Sequence, residues 1–158
     1  MQFHPRSQVH FLIQDLKWPN AIDRFRSPSD PATTDLCGDW DELYQAFTAN
    51  LWSFSVIEVL PDQAALWLRR IGRLARFAPN HRIAVVGSRE LRPYSRSLCE
   101  AGAVLCGFSL SDCFGLARFI DRFVESHPPQ PLPLRESIFE SLPWANTRIN
   151  DAPSNHVR

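Results

Sequence analysis

SFSVIEVLPD (Ser53–Asp62), RIAVVGSRE (Arg82–Glu90) and GAVLCGFS (Gly102–Ser109) are the apolar pieces of one stretch, Ser53 to Ser109. Between them lie an Arg-rich amphipathic run and a short helical run that ends at Gly102. The order is strand, helix, strand, helix, strand. VIEV, IAVVG and AVLCGF are nearly continuous in apolar residues. A strand with one wet face would alternate, so both faces of these strands are expected to be buried, as in a parallel sheet.

Upstream, VHFLIQ (Val9–Gln14) reads as a first strand closed by Asp15, with helical pattern following from Trp18 to Arg26. Residues 27–38 (SPSDPATTDLCG) are rich in turn formers and hold either a short edge strand around Thr33–Cys37 or only a loop. Asp39 is placed to cap a helix to about Leu51, on which Trp40, Leu43, Tyr44, Phe47 and Leu51 form one stripe. After a third strand, Phe54–Leu60, Pro61-Asp62 opens a long helix to about Phe77, with Asp62 its expected N-cap. Ala64, Trp67, Leu68, Ile71, Leu74, Ala75 and Ala78 are its inner stripe; Arg69, Arg70, Arg73 and Arg76 cover the outside.

The fourth strand is Arg82–Gly87. A helix from Leu91 to Ala101 follows, with Pro93 in its first turn and Gly102 as its stop. Ala103–Phe108 is the fifth strand. Ser109–Asp112 is a capping signature for a last helix whose inner face is Cys113, Leu116, Ala117, Ile120, Phe123 and Val124.

Strands and helices that alternate with short connections imply right-handed crossovers and helices on both faces of the sheet. Residues 1–126 therefore read as one α/β domain. It is a three-layer, doubly wound, parallel five-stranded sheet of flavodoxin-like type. Pro128, Pro129, Pro131 and Pro133 end it. Residues 127–158 read as a Pro-rich C-terminal tail. At 134–142, Leu134, Ile138, Phe139 and Leu142 pattern as a short amphipathic helix before Pro143-Trp144. That segment either folds back on the domain or docks on a partner.

The chain has 158 residues, 44% hydrophobic, with a formal net charge of zero. Nothing global draws it to nucleic acid or to an anionic membrane. The charge is segregated all the same. Residues 1–62 carry nine acids and four bases, whereas residues 63–96 carry eight Arg and Glu90. A basic face on a neutral protein is expected. No recognition helix or aromatic platform accompanies the Arg set, so Arg69, Arg73 and Arg76 suit an acidic protein partner rather than nucleic acid. Cys37, Cys99, Cys106 and Cys113 form no C-x-x-C pair and read as small buried hydrophobes in a reducing cytoplasm. The start lacks the apolar run of a signal peptide and no segment approaches a membrane span. With no G-x-G-x-x-G and no Walker sequence, a nucleotide cofactor has no support, and no cofactor is expected.

Doubly wound sheets bind ligands at the carboxyl ends of their strands, where strand order reverses. Those ends are Gln14-Asp15, Glu58, Gly87-Ser88 and Ser109. His10, on the first strand, reads as a packed histidine, and no Ser/His/Asp set assembles at this face.

From Val56 to Val124 the chain resembles a receiver domain of bacterial two-component response regulators. The resemblance rests on the strand-end acid before a Pro (IEVLP), the Arg-rich third helix, IAVVGSRE, and above all EAGAVLCGFS leading into the last helix. It implies a five-group site. Two acids after strand one and an Asp at the end of strand three hold Mg²⁺, and that Asp takes the phosphoryl group. A Thr or Ser after strand four and a Lys after strand five bind the phosphoryl oxygens. Gln14 and Asp15 match the acid pair with one acid lost. Glu58 falls at or beside the acceptor, Gly87 at the hydroxyl position with Ser88 adjacent, and Ser109 at the Lys position. Lys17, the one Lys in the chain, is distant in sequence.

The resemblance thus implies a degenerate, non-phosphorylated pseudo-receiver without an output domain of its own. It would act as a protein–protein interaction or adaptor module in signalling, not as an enzyme. The alternatives are a small metal-dependent enzyme of the same fold using Asp15 and Glu58, and an atypical regulator that is still phosphorylated.

Overall fold

The computed structural model describes residues 7–27, 33–49 and 52–126. The expected tail at 127–158 and the expected helix end at Leu51 lie outside them. Strands β1 (Ser7–Leu12), β2 (Thr33–Leu36), β3 (Phe54–Glu58), β4 (Arg82–Val86) and β5 (Ala103–Gly107) form one parallel sheet, in the order β2-β1-β3-β4-β5. Helices α1 (Lys17–Asp23), α2 (Trp40–Ala49), α3 (Ala64–Phe77), α4 (Ser95–Ala101) and α5 (Cys113–Ser126) connect and cover it. The strand order reverses between β1 and β3, which puts the crevice of a doubly wound sheet there.

Alternation along each strand divides the core in two. Val9, Phe11, Phe54, Val56, Ala84 and Val86 point to one face, where Trp18 and Ile22 of α1 and Leu116, Ile120 and Phe123 of α5 bury them. Ile57, Val59, Ile83 and Val85 point to the other, against Leu43 and Phe47 of α2, Trp67, Ile71 and Leu74 of α3, and Leu98 of α4. The apolar runs of β3 and β4 are buried on both sides, as the absence of alternation predicts, whereas β5, at the sheet edge, is only partly covered and leaves Val104 exposed. Phe123 packs its ring 5.5 Å from that of Phe54, joining α5 to the central strand. The ambiguous segment at 33–37 is a strand: Thr33–Leu36 pairs with β1 at the sheet edge.

Local signals explain most element ends. Asp39 accepts the Glu42 amide at Oδ1 (2.9 Å), and Glu42 returns a carboxylate to the Gly38 amide (2.6 Å), so the start of α2 is closed from both directions. Gly102 stops α4 at φ 126°, and a Cβ there would stand 2.5 Å from the Cβ of Ala75.

Three further expectations change. Asp62 is not an N-cap: it lies inside a 3-10 turn, Pro61–Gln63, that precedes α3 and has no side-chain cap. Pro61 presets φ at the first position of that turn, whose N-cap is Leu60, so coiling begins two residues earlier than expected. Arg70 does not stand outside α3. Its guanidinium lies 5.0 Å from the ring centroids of both Trp40 and Trp67, half-buried between α2 and α3. The cysteines are not uniformly buried: Cys37 and Cys113 are, but Cys106 is half-buried and Cys99 is exposed. Leu98 takes the inner face of α4, which turns Cys99 outward.

Candidate functional site

β1 and β3 are hydrogen-bonded neighbours, with Leu12 opposite Ile57. Their carboxyl ends therefore open side by side. β1 ends at Leu12, two residues before the expected end, so Gln14 and Asp15 sit on the loop that crosses toward α1. Glu58, the last residue of β3, reaches under that loop. Its Oε2 accepts the amides of Gln14 (2.7 Å) and Asp15 (2.9 Å), and its Oε1 accepts the indole N–H of Trp18 (3.1 Å). A charged acceptor satisfying three N–H groups is among the stronger hydrogen-bonded arrangements available to a protein. Glu58 is thus a half-buried tie between β3 and the β1–α1 loop, with both carboxylate oxygens engaged.

Asp15 is taken up separately. Its Oδ1 accepts the Lys17 amide (2.9 Å) and its Oδ2 pairs with Lys17 Nζ (2.9 Å). The Lys17 side-chain hydrogen bond, helped by the amide, holds the Asp15 carboxyl below its usual range; Asp15 in turn raises Lys17, with Glu58 adding to the effect. Lys17 is distant from the strand-five position in sequence, yet the topology brings it to this crevice. Sequence reasoning missed both Lys17 and Trp18 as members of the site. The signal was present: the start of α1 must face the end of β3 in any sheet where β1 and β3 are adjacent.

The other strand ends are closed by local packing. Gly87 is buried, and its amide donates to the Gly107 carbonyl (3.0 Å). A Cβ there would stand 2.7 Å from the Val59 carbonyl oxygen and 2.8 Å from Leu91 Cδ2, so no hydroxyl-bearing side chain fits without backbone movement. Ser88 beside it is exposed and makes no capping bond. Ser109 caps the 3-10 turn Leu110–Asp112 that leads into α5. Asp112 accepts the amides of Phe108 (2.8 Å) and Ser109 (3.0 Å) and the Ser109 hydroxyl (3.1 Å), and the Phe108 amide above all lowers its pKa. A carboxylate, rather than a cation, therefore stands at the end of β5.

The Mg²⁺ that the receiver resemblance implies does not fit these residues. Mg²⁺ needs carboxylate oxygens free to enter an octahedral shell. Glu58 presents both oxygens to N–H donors, Asp15 is neutralised by Lys17, and Gln14 brings no charge. Among the described residues no group of three or more His, Cys, Asp or Glu side chains comes together as a metal set.

Away from the crevice, Asp35, His10 and Ser55 stand in one register row across β2, β1 and β3. They do not make a catalytic triad. His10 and Ser55 are fully buried in mid-sheet, and Asp35 Oδ2 is 4.0 Å from His10 Nδ1, beyond hydrogen-bond reach. At the amino end of the sheet His81 is hydrogen-bonded to the Ser53 hydroxyl through Nδ1.

Arg69, Arg73 and Arg76 are exposed along α3, with Arg76 Nε donating to the Gly72 carbonyl (3.1 Å). No helix among the described residues is long and apolar enough to cross a membrane.

No family model and no curated protein matches the chain. Among solved structures it is similar to a response regulator from Thermotoga maritima, with a TM-score of 0.58 and 16% sequence identity, over 73% of this chain and 98% of that one. The likeness is one of fold: a single five-stranded parallel sheet flanked by helices, as in a receiver domain.

Proposed function

We propose that this chain is a receiver-like signalling module that takes no phosphoryl group and acts by contact with another protein. The likeness of fold to a response regulator supports the receiver-type part of this reading. The observation that carries the rest is the state of Glu58. At the end of β3, at or beside the position the resemblance gives the acceptor, stands a carboxylate whose oxygens are bound to the Gln14 and Asp15 amides and the Trp18 indole. Phosphoryl transfer would require those oxygens to be free and the charge spreading over the transferred group to be neutralised. Glu58 instead fixes a negative charge in the crevice and holds the β1–α1 loop to it, without input from a donor. The same bonds argue against a metal-dependent enzyme built on Asp15 and Glu58.

The surface offered to a partner is the exposed Arg69, Arg73 and Arg76 row of α3, which suits an acidic protein. Cysteine usage favours a cytoplasmic setting.

The test is incubation with Mg²⁺ and acetyl phosphate, read by intact mass. No acyl phosphate is expected. An adduct that vanishes on substitution of Glu58 or Asp62 would overturn the reading.

A further inference from the structure

Two thiols that seven residues separate in sequence meet in the fold. Cys99 lies in the last turn of α4 and Cys106 in β5, and Gly102 turns the chain back between them. Their sulfurs are 3.9 Å apart. That is within about 2 Å of the ~2.05 Å disulfide bond length. The exposures are complementary: Cys99 is open to solvent, and Cys106 sits half-buried behind it. An exposed thiol backed by a second one is the arrangement of a redox-sensing pair, with one cysteine oxidised first and the other resolving it. Cys37 and Cys113 are buried in the two cores and shielded from the same oxidant.

We propose that Cys99 and Cys106 are a dithiol modification site, converted to an intramolecular disulfide by a hydroperoxide. The Cys99 thiolate attacks one peroxide oxygen. The S–O bond forms, the O–O bond breaks, and the departing oxygen takes a proton and leaves as an alcohol, or as water from hydrogen peroxide. Cys99 is then a sulfenic acid. Cys106 gives up its proton and attacks the Cys99 sulfur; the S–S bond forms, the S–O bond breaks, and hydroxide leaves with that proton as water. Two thiols lose two electrons in all, and the peroxide gains them.

The environment orders these steps. Burial, with the charge and hydrogen bond of Cys99 beside it, pushes the Cys106 thiol up to about 12, so Cys106 stays protonated while Cys99 is reduced. The closed bond would clip the last turn of α4 to β5.

The experiment uses the full chain, reduced, then treated with hydrogen peroxide, alkylated and measured by intact mass and peptide mapping. Expected are loss of two hydrogens, two alkylated thiols instead of four, and a Cys99–Cys106 linked peptide. Cys106→Ser should accumulate sulfenic acid at residue 99, trapped by dimedone, and Cys37→Ser should leave the link intact. In the wild-type chain, amide exchange over residues 95–103 should slow on oxidation and recover with thiol reductant. Four alkylated thiols after peroxide, a link only between chains, or over-oxidation at Cys99 without a link would each overturn the proposal.

Discussion

Glu58 carries more of the crevice than its position in the sequence suggests. It accepts three N–H groups, two from the β1–α1 loop and one from Trp18 of α1, the nearest of them 40 residues away in sequence. Glu58→Gln keeps the shape but replaces a charged acceptor with a neutral one and turns a donor toward part of the loop. We expect a loss of about 1–3 kcal/mol, read as a lower midpoint in denaturant with an unchanged slope. An unaltered midpoint would mean that the loop is held by other means.

His81 gives a second test at this scale. Burial is the main cause that pushes it down from 6.5 to about 4, and neighbouring His10 pushes the same way; burial also lowers His10, against the pull of Asp35. Between about 6.5 and about 4 the unfolded chain therefore binds more protons than the folded one. Stability should be flat above that window and fall as pH drops through it, by well under the full linkage value of the shift, because His81 is only half-buried and solvent screens its charge. His81→Asn should flatten the acid limb. The same slope in the variant would show that carboxylates, not this histidine, set it.

At the scale of the element, the last helix is the most exposed to a single change. Phe123 is 5% exposed and rests on Phe54. Phe123→Ala removes that contact and leaves a cavity between α5 and β3, at a cost of about 3–5 kcal/mol. Thermal melting should show it plainly, and a near-neutral shift would mean that α5 repacks. A buried carboxylate on the same helix ties it to the segment that follows α1: Asp121 accepts the Ser27 amide (3.1 Å) and lies 3.6 Å from Arg26 Nε.

For the whole molecule, segregated charge is the feature with consequences. The net charge is zero, yet eight Arg fall within residues 63–96. An acidic protein that docks on Arg69, Arg73 and Arg76 should lose affinity steeply as salt rises, because exposed charges are screened over about 8–10 Å near physiological ionic strength. Charge reversal at the three Arg should slow association more than it speeds dissociation. Titration by interferometry at two salt concentrations measures both. Binding indifferent to salt and to charge reversal would remove this face from consideration.

Sequence by itself determined four of the five strands, the parallel sheet and the apolar stripes of α2, α3 and α5. Those follow from apolar period, and period is local: Val56, Ile57, Val85 and Leu116 declare their burial to any reader of the chain. The capping role of Ser109 was legible for the same reason, since Asp112 stands three residues on. Only the tertiary structure decided what the polar side chains do. Glu58 finds its donors 40 to 44 residues away, Arg70 finds its second Trp across the α2–α3 contact, and Lys17 comes to the crevice because β1 and β3 are neighbours. Hydrophobic burial is non-directional and summed over many residues, so its pattern survives in one dimension. A hydrogen bond or a thiol contact needs two particular groups within a few ångströms, and chain crossovers, not sequence distance, set which groups those are.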